Sequence, residues 1–169
     1  MAKEQEVLRM KADGTYEIIM ASEVKPGDEI TRFFDEEEGD FGFEMPGAKM
    51  TMRTEFTDNT IPTLPFEFGL YPNATIVNYL EYQTGNNMSK GLTMYSDAMI
   101  DDIVKYYHRH AQNQGFEGTP EEFEIDEDDG TKGIVIHASH TDGHQCSLTF
   151  APMRYEDSEH IEISLTIVE

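Results

Sequence analysis

Residues 96–115 read SDAMIDDIVKYYHRHAQNQG, and this stretch decides how the rest of the chain is interpreted. Ser96 has a hydroxyl suited to capping a helix, Asp97 favours its positive N-terminal end, and Gly115 is suited to ending it. Apolar side chains recur every three or four positions between them, namely Met99, Ile100, Ile103, Val104, Tyr107 and Ala111. This spacing is that of one helical face, so we predict a helix over residues 97–114 with one buried stripe.

Segments typical of strands lie on both sides of this helix. They are rich in β-branched and aromatic residues or alternate between apolar and polar, and turns containing Gly, Asp or Asn separate them. They cover residues 74–82, 91–95, 122–126, 133–140, 144–150 and 161–167. We therefore predict an α+β fold with one long helix packed on an antiparallel β-sheet, in the order ββαβββ, with three or four strands after the helix.

The chain before this unit is harder to interpret. Residues 7–20 indicate an N-terminal β-hairpin extension around Asp13-Gly14, a pair that supplies the positive φ angles of a tight turn. Beyond it, the charge run at residues 35–40 and three prolines predict irregular chain between residues 22 and 72. We predict a hairpin and irregular acidic extension over 1–63, packed on an α+β domain over 64–169 as one structural unit.

The net charge of −22, from 34 acidic and 12 basic residues, is the main compositional feature of the 169-residue chain. Such a charge repels phosphate backbones, so we expect no direct binding to nucleic acid. It permits a basic protein partner or a small ligand, and it is also consistent with solubility alone. With 38% hydrophobic residues, the chain has enough apolar surface to form a core.

Compartment and assembly stay open at this stage. Cys146 is the only cysteine, so an intrachain disulfide is excluded, which is compatible with the cytoplasm. No apolar run reaches the length of a membrane span, and the first residues have no apolar segment typical of a signal peptide. The sequence does not indicate an oligomeric state.

Five short motifs resemble a loose group of uncharacterised bacterial envelope or lipoprotein-like domains. They are LP at 64–65, LYPNA at 70–74, YSD at 95–97, VKYY at 104–107 and GF at 115–116. In that group a YPGA element leads into a strand, and a helix with a Phe-Tyr pair ends in GW or GF. Here Asn73 replaces the glycine, and Tyr106-Tyr107 replaces the aromatic pair. The resemblance covers residues 64–125 and implies an envelope location with a trimmed leader, but no chemistry.

The candidates for metal binding are His137, His144 and Cys146, since imidazole and thiolate are ligands that zinc and copper prefer. If Asp142-Gly143 forms a two-residue turn, these three side chains share one face of a hairpin. The alternative is that the histidines are structural or exposed and that Cys146 packs in the core, because the spacing matches no established zinc pattern.

No catalytic set emerges from the remaining residues. His108 and His110 are interpreted as favourable charges near a helix C-terminus, and residues 126–130 as a hairpin turn rather than a calcium loop. The sequence contains neither a nucleophile elbow nor a Gly-rich phosphate loop. We therefore predict no catalytic residue and no cofactor; whether the chain is an enzyme stays open, and the sequence favours a non-enzymatic chain.

Three functions remain as hypotheses. The first is a non-enzymatic binding or interaction domain, associated with the bacterial envelope. The second is an acidic inhibitor or immunity-type protein that mimics nucleic acid or covers a basic site. The third is a metal-binding protein that uses the His/Cys hairpin. Aromatic residues are the first places to look for a binding surface, and they are Phe66, Phe68, Tyr71, Tyr79 and Tyr82.

Overall fold

The structure is a computed structural model that describes residues 5–35, 40–56, 61–155 and 157–169. Strands dominate it, and the single helix of the described residues follows the seventh strand. The elements are β1 (Glu6–Met10), β2 (Tyr16–Met20), β3 (Ile30–Asp35), β4 (Asp40–Met45), β5 (Ala48–Arg53), β6 (Thr75–Thr84), β7 (Asn87–Ser96), α1 (Ile100–Asn113), β8 (Phe116–Glu117), β9 (Pro120–Asp126), β10 (Thr131–His140), β11 (Gln145–Tyr155) and β12 (Ser158–Val168). Short 3-10 turns occupy Ala21–Glu23 and Pro65–Glu67.

All twelve strands of the described residues belong to one antiparallel sheet. Its order is β2-β1-β3-β4-β5-β6-β7-β12-β11-β10, and both β8 and β9 pair with the outer side of β10. Most neighbours are joined by short hairpins. Longer connections separate other neighbours: residues 54–74 lie between β5 and β6, β2 lies between β1 and β3 in the chain, and α1 with the strands β8 to β11 lies between β7 and β12.

The predicted α+β class with ββαβββ order is therefore wrong. The fold is mostly β, with seven strands before the helix and five after it. The error arises in the segment expected to be irregular, since β3, β4 and β5 form there and extend the sheet. Phe41, Phe43 and Met45 alternate with Gly and Glu, and Pro46-Gly47 turns the chain into β5 with Gly47 at φ 80. These are ordinary hairpin signals that the neighbouring charge run obscured. The charge run itself lies partly outside the described residues, and the predicted domain boundary at residue 63 stays a prediction.

The core lies between α1 and the C-terminal half of the sheet. Ile103, Val104, Tyr107 and Ala111 of α1 are buried in one cluster with residues of β7, β10, β11 and β12. The ring of Tyr107 lies 5.9 Å from that of Phe150, centroid to centroid. The apolar stripe thus anchors the helix, because burying a large aliphatic side chain such as Ile103 or Val104 contributes roughly 1.5–3 kcal/mol.

The helix begins later than the sequence indicated. Met99 occupies the N-cap position without a side-chain cap and is 73% exposed, so the prediction that it belongs to the buried stripe is wrong. The hydroxyl of Ser96 accepts a hydrogen bond from the backbone N–H of Ala98 at 3.1 Å, so it orders the approach to the helix rather than its first turn. Gly115, at φ 90, follows the last turn as expected.

Candidate interaction face

The predicted metal ligands lie on a hairpin whose register differs from the assumed one. His140 N–H donates to the carbonyl of His144 at 2.9 Å, so three residues form the loop instead of two. Ala138 therefore lies opposite Cys146, and His137 lies opposite Ser147. A register change of one residue moves a side chain to the other face of a strand. Cys146 and His144 consequently face the helix side, and the exposed His137 faces away from them.

Cys146 is a packing residue in this arrangement. Its side chain is 3% exposed within the core cluster, and this burial raises the pKa of its thiol to about 11. A protonated, buried thiol is a poor metal ligand and a poor nucleophile. The structure therefore does not bring the three predicted ligands together. In the part of the chain that the structure describes, no three His, Cys, Asp or Glu side chains are arranged to hold a metal ion.

His140 joins His144 at this hairpin instead, and Asp142 links the two. Asp142 Oδ1 lies 2.8 Å from the Nδ1 atom of each imidazole and accepts a hydrogen bond from the backbone N–H of His144 at 3.0 Å. This backbone hydrogen bond, followed by the hydrogen bond from the His144 ring, lowers the pKa of the Asp142 carboxyl. The three side chains fasten the loop, with the ring of Phe66 about 5 Å from both imidazoles.

Phe66 belongs to a strained connection that packs against α1. Phe66 and Glu67 have φ angles of 62 and 60, a left-handed conformation that costs a non-glycine residue on the order of 1 kcal/mol. The carbonyl of Phe66 lies 2.9 Å from His110 Nε2, and Phe68 is fully buried beside it. Four of the five aromatic residues chosen from the sequence pack against the core in this way, namely Phe66, Phe68, Tyr71 and Tyr79.

A cleft of about 570 Å³ lies at the start of α1. Asp97 Oδ1 approaches His160 Nδ1 to 2.6 Å at its edge, and Arg154 and Glu159 also line it. Asp97 itself is largely exposed, with 84% of its side chain accessible. No described nucleophile is hydrogen-bonded to His160, so the pair lacks the partner that nucleophilic catalysis would need.

The apolar residues of the sheet do not all lie on the same face. In one half of the sheet they lie on the side that α1 covers, and in the other half they lie on the opposite side. On the side that α1 covers, one row of paired residues runs from polar to apolar: Arg53, Tyr79, Leu92, Leu165, Leu148 and Ile136. On the other side, the adjacent row runs from apolar to polar: Phe41, Met52, Leu80, Gly91, Thr166, Ser147 and His137. Paired residues of an antiparallel sheet share a face, so the apolar side reverses between β7 and β6.

We name the apolar surface of β4, β5 and β6 the open face, comprising Phe41, Phe43, Met50, Met52, Leu80 and Tyr82. None of the six is buried, and Phe41 and Tyr82 remain 41% and 37% exposed. None packs against the core cluster either. The open face is therefore an apolar, aromatic and methionine-rich surface directed away from the helix.

The open face carries no charge. The same side of β4–β6 also holds Met45, Ala48, Asn78 and Thr84, and it continues on β7 with Asn87, Ser89, Gly91, Thr93 and Tyr95. The charged residues of these strands that the structure describes, such as Glu44, Lys49 and Glu81, point to the helix side. In a chain of which 27% is charged, an uncharged area of this size marks a surface suited to contact.

The sequence contained a signal for the open face that we did not use. Phe41, Phe43 and Met45 occur at every second position, and so do Met50 and Met52 on the other side of Pro46-Gly47. Two alternating segments around a tight turn place all five side chains on one face. Among the aromatic residues chosen in advance, Tyr82 lies on this face.

Acidic residues concentrate at the edge of the sheet that β8 and β9 form beyond β10. Eight carboxylates lie between Glu117 and Asp129, on β8, β9 and the turn that follows, and all are exposed. Lys132 pairs with Glu122 at 3.4 Å across the β9–β10 ladder. We name this set the acidic edge. Charged side chains on an edge strand hinder its pairing with another chain, which is sufficient reason for their presence.

Comparison with known proteins adds no family assignment. Protein-family models, curated proteins and solved structures gave no match to this chain. Among the described residues, no helix has the length and apolar character required to cross a membrane.

Proposed function

We propose that the chain is a non-enzymatic interaction domain that binds another protein surface through its open face. The observation that carries the proposal is the uncharged apolar area on β4–β6, facing away from the only helix of the described residues. Exposed apolar surfaces of this kind are characteristic of protein contacts. Aromatic and methionine side chains are also enriched at the centres of interfaces.

A place in the bacterial envelope belongs to the same proposal. Its support is the resemblance of residues 64–125 to envelope domains, and that resemblance rests on structural residues such as Tyr71 and Gly115.

The proposal is tested by photo-crosslinking of the full-length chain in its native cells. A photoreactive residue replaces Met50 in one version and Thr51 in the other. These two neighbours in β5 face opposite sides of the sheet. We expect adducts from position 50 and few from position 51. Equal adduct yields from the two positions, or none from position 50, would contradict the proposed function.

The acidic edge favours a second candidate function, that of an acidic inhibitor of a basic protein. The eight exposed carboxylates on β8, β9 and the following turn present a concentration of negative charge that a basic nucleic-acid site could bind. The test is displacement of labelled duplex DNA from core histones by the full chain. For the variant Glu121→Gln/Glu122→Gln/Glu124→Gln, we expect the protein concentration that displaces half of the DNA to be several-fold higher than for the parent. For Met50→Lys, we expect the same concentration as for the parent. Equal displacement by the parent and the triple variant would remove this candidate.

A further inference from the structure

Among the described residues, no second layer packs on the apolar side of β4–β6. In the C-terminal half, α1 covers the apolar face and buries residues such as Leu148 and Phe150 completely. No described residue of the open face belongs to that cluster or packs against it. Stable domains bury each apolar sheet face against another layer, so the open face needs a layer from outside the described chain.

The charge pattern indicates what that layer is like. A basic partner would be recognised by carboxylates placed on or around the contact, and the chain has 34 acidic residues available. The side of β4–β7 that bears the open face has none among its described side chains, because Glu44 and Glu81 point the other way. A surface without charge fits best against another surface without charge, since no ion is then buried unpaired.

We propose that a second copy of this chain supplies the missing layer, with the two open faces packed against each other as a β-sandwich. This inference rests on the proposed function and names the partner of the same surface. Each copy presents the same uncharged area, so a two-fold arrangement brings no like charges together at its centre. Sheets packed face to face lie about 10 Å apart with interdigitated side chains, and the flexible methionines fill gaps between the aromatic rings.

The size of the area is adequate for a specific dimer. The uncharged side of β4–β7, which comprises the open face and its continuation on β7, has four strands about 4.8 Å apart with an average of about eight residues at 3.4 Å, and its footprint is about 500 Å² per copy. Two copies therefore bury about 1,000 Å², which is near the lower limit of specific interfaces. Each copy also carries a charge of −22, so we expect the two to repel each other at a distance and to associate more tightly as salt screens that repulsion.

Sedimentation equilibrium of the full chain tests the inference at low and at high sodium chloride. The parent should show twice its chain mass of 19.3 kDa, with a dissociation constant that falls as salt rises. The variant Met50→Lys should weaken the dimer at least tenfold, because it places a charge at the centre of the contact. The matched control is Thr51→Lys, which changes the net charge by the same amount. Thr51 lies on the other side of β5, opposite Glu81, so this variant should dimerise like the parent.

Each outcome has a separate consequence. Circular dichroism and the thermal midpoint establish that both variants are folded before their masses are compared. A parent that stays monomeric at every salt concentration, or a dimer that Met50→Lys leaves intact, would overturn the second-copy inference. If the position-50 crosslink joins a different protein, the inference fails while the proposed function stands. If position 50 gives no adduct at all, both fail.

Discussion

The hydroxyl of Tyr107 joins α1 to the strained connection that precedes β6. It donates to the carbonyl of Gly69 at 2.7 Å from a side chain that is 1% exposed. Burial, as the main cause, raises the pKa of Tyr107 well above its usual value, so the hydroxyl keeps its proton as a donor. Phe66 and Phe68 of the same connection pack in or against the core cluster, so the connection lies on the helix side of the sheet.

Removal of that hydroxyl should destabilise the protein. We expect Tyr107→Phe to lower the free energy of unfolding by about 1 kcal/mol, because the partly buried carbonyl of Gly69 loses its donor. Urea denaturation measures the change. Tyr106→Phe is the matched control, since Tyr106 is 44% exposed and should tolerate the change within about 0.5 kcal/mol. Equal losses for the two variants would show that the hydrogen bond is not the cause.

Asp142 should make part of the stability dependent on pH. Its folded pKa lies below the ordinary value of 3.8, chiefly because the backbone N–H of His144 donates to it. A depressed pKa contributes stability that is present above the unfolded value and is lost as pH falls through the folded value. The difference in unfolding free energy between the parent and Asp142→Asn should therefore hold at pH 5 and shrink as the pH falls below about 4.

Denaturation at a series of pH values from 5 to 2 checks this expectation. The control is Glu127→Gln, an exposed carboxylate for which the described residues provide no hydrogen bond. Its difference from the parent should vary less over the same range. A difference for Asp142→Asn that stays constant down to pH 2 would mean that the carboxylate is not stabilised in the folded hairpin.

At the scale of the element, the hydrophobic periodicity of the sequence predicted single elements better than the register in which they pair. The stripe from Ile103 to Ala111 is buried as its spacing indicated, because a helical face follows from local sequence alone. The hairpin register was not predictable in the same way. A single additional loop residue at Thr141 to Gly143 turned His137 away from Cys146, and it thereby separated the predicted metal ligands.

The fold class depended on information that local patterns do not contain. The strands β3–β5 alternate correctly, but nothing in their sequence states that their apolar side faces away from α1. The reversal between β6 and β7 follows from pairing across the whole sheet. A sequence interpretation that assumes one core therefore has no place for Phe41 and Met50, and it assigns their segment to irregular chain.

Gly118 allows β8 and β9 to pair in succession with β10. A Cβ at this position would lie 2.3 Å from the carbonyl oxygen of His137 and 2.8 Å from the Cβ of Ala138. We expect Gly118→Ala to cost about 2–3 kcal/mol, because backbone on both sides has to move. Thermal or urea unfolding measures it. Gly91→Ala is the matched control in a strand, where the nearest atoms are 3.6 Å away, and it should be neutral or slightly stabilising. Similar costs at the two sites would exclude the close approach as the reason.

At the scale of the whole molecule, the two ends of the sheet differ in chemistry. The acidic edge, beyond β10, concentrates charge at the end that α1 stabilises, and the open face lies toward the end that the helix does not cover. This arrangement keeps the eight carboxylates of the acidic edge away from the surface proposed to form the contact. It also explains why a net charge of −22 is compatible with association, provided that ions in solution screen the rest.

The same charge should make folding stability depend on salt. Repulsion among 34 acidic residues, offset by 12 basic ones, disfavours the compact state, and the Debye length falls from about 30 Å at 0.01 M to about 3 Å at 1 M. We expect the thermal midpoint to rise by several degrees over that range of sodium chloride. Calorimetry at two protein concentrations separates this effect from dimerisation, because only association depends on concentration.

The acidic edge should account for a measurable part of that rise. Glu121→Gln/Glu122→Gln/Glu124→Gln removes three negative charges from an exposed strand and should melt higher than the parent at low salt. Its midpoint should then increase less as salt is added, since less repulsion remains to be screened. Lys132→Gln removes the cation paired with Glu122. It should therefore lower the thermal midpoint at low salt and increase the rise of the midpoint as salt is added. Parallel salt dependences for all three proteins would show that the repulsion is spread over the molecule and that the edge strand is not its source.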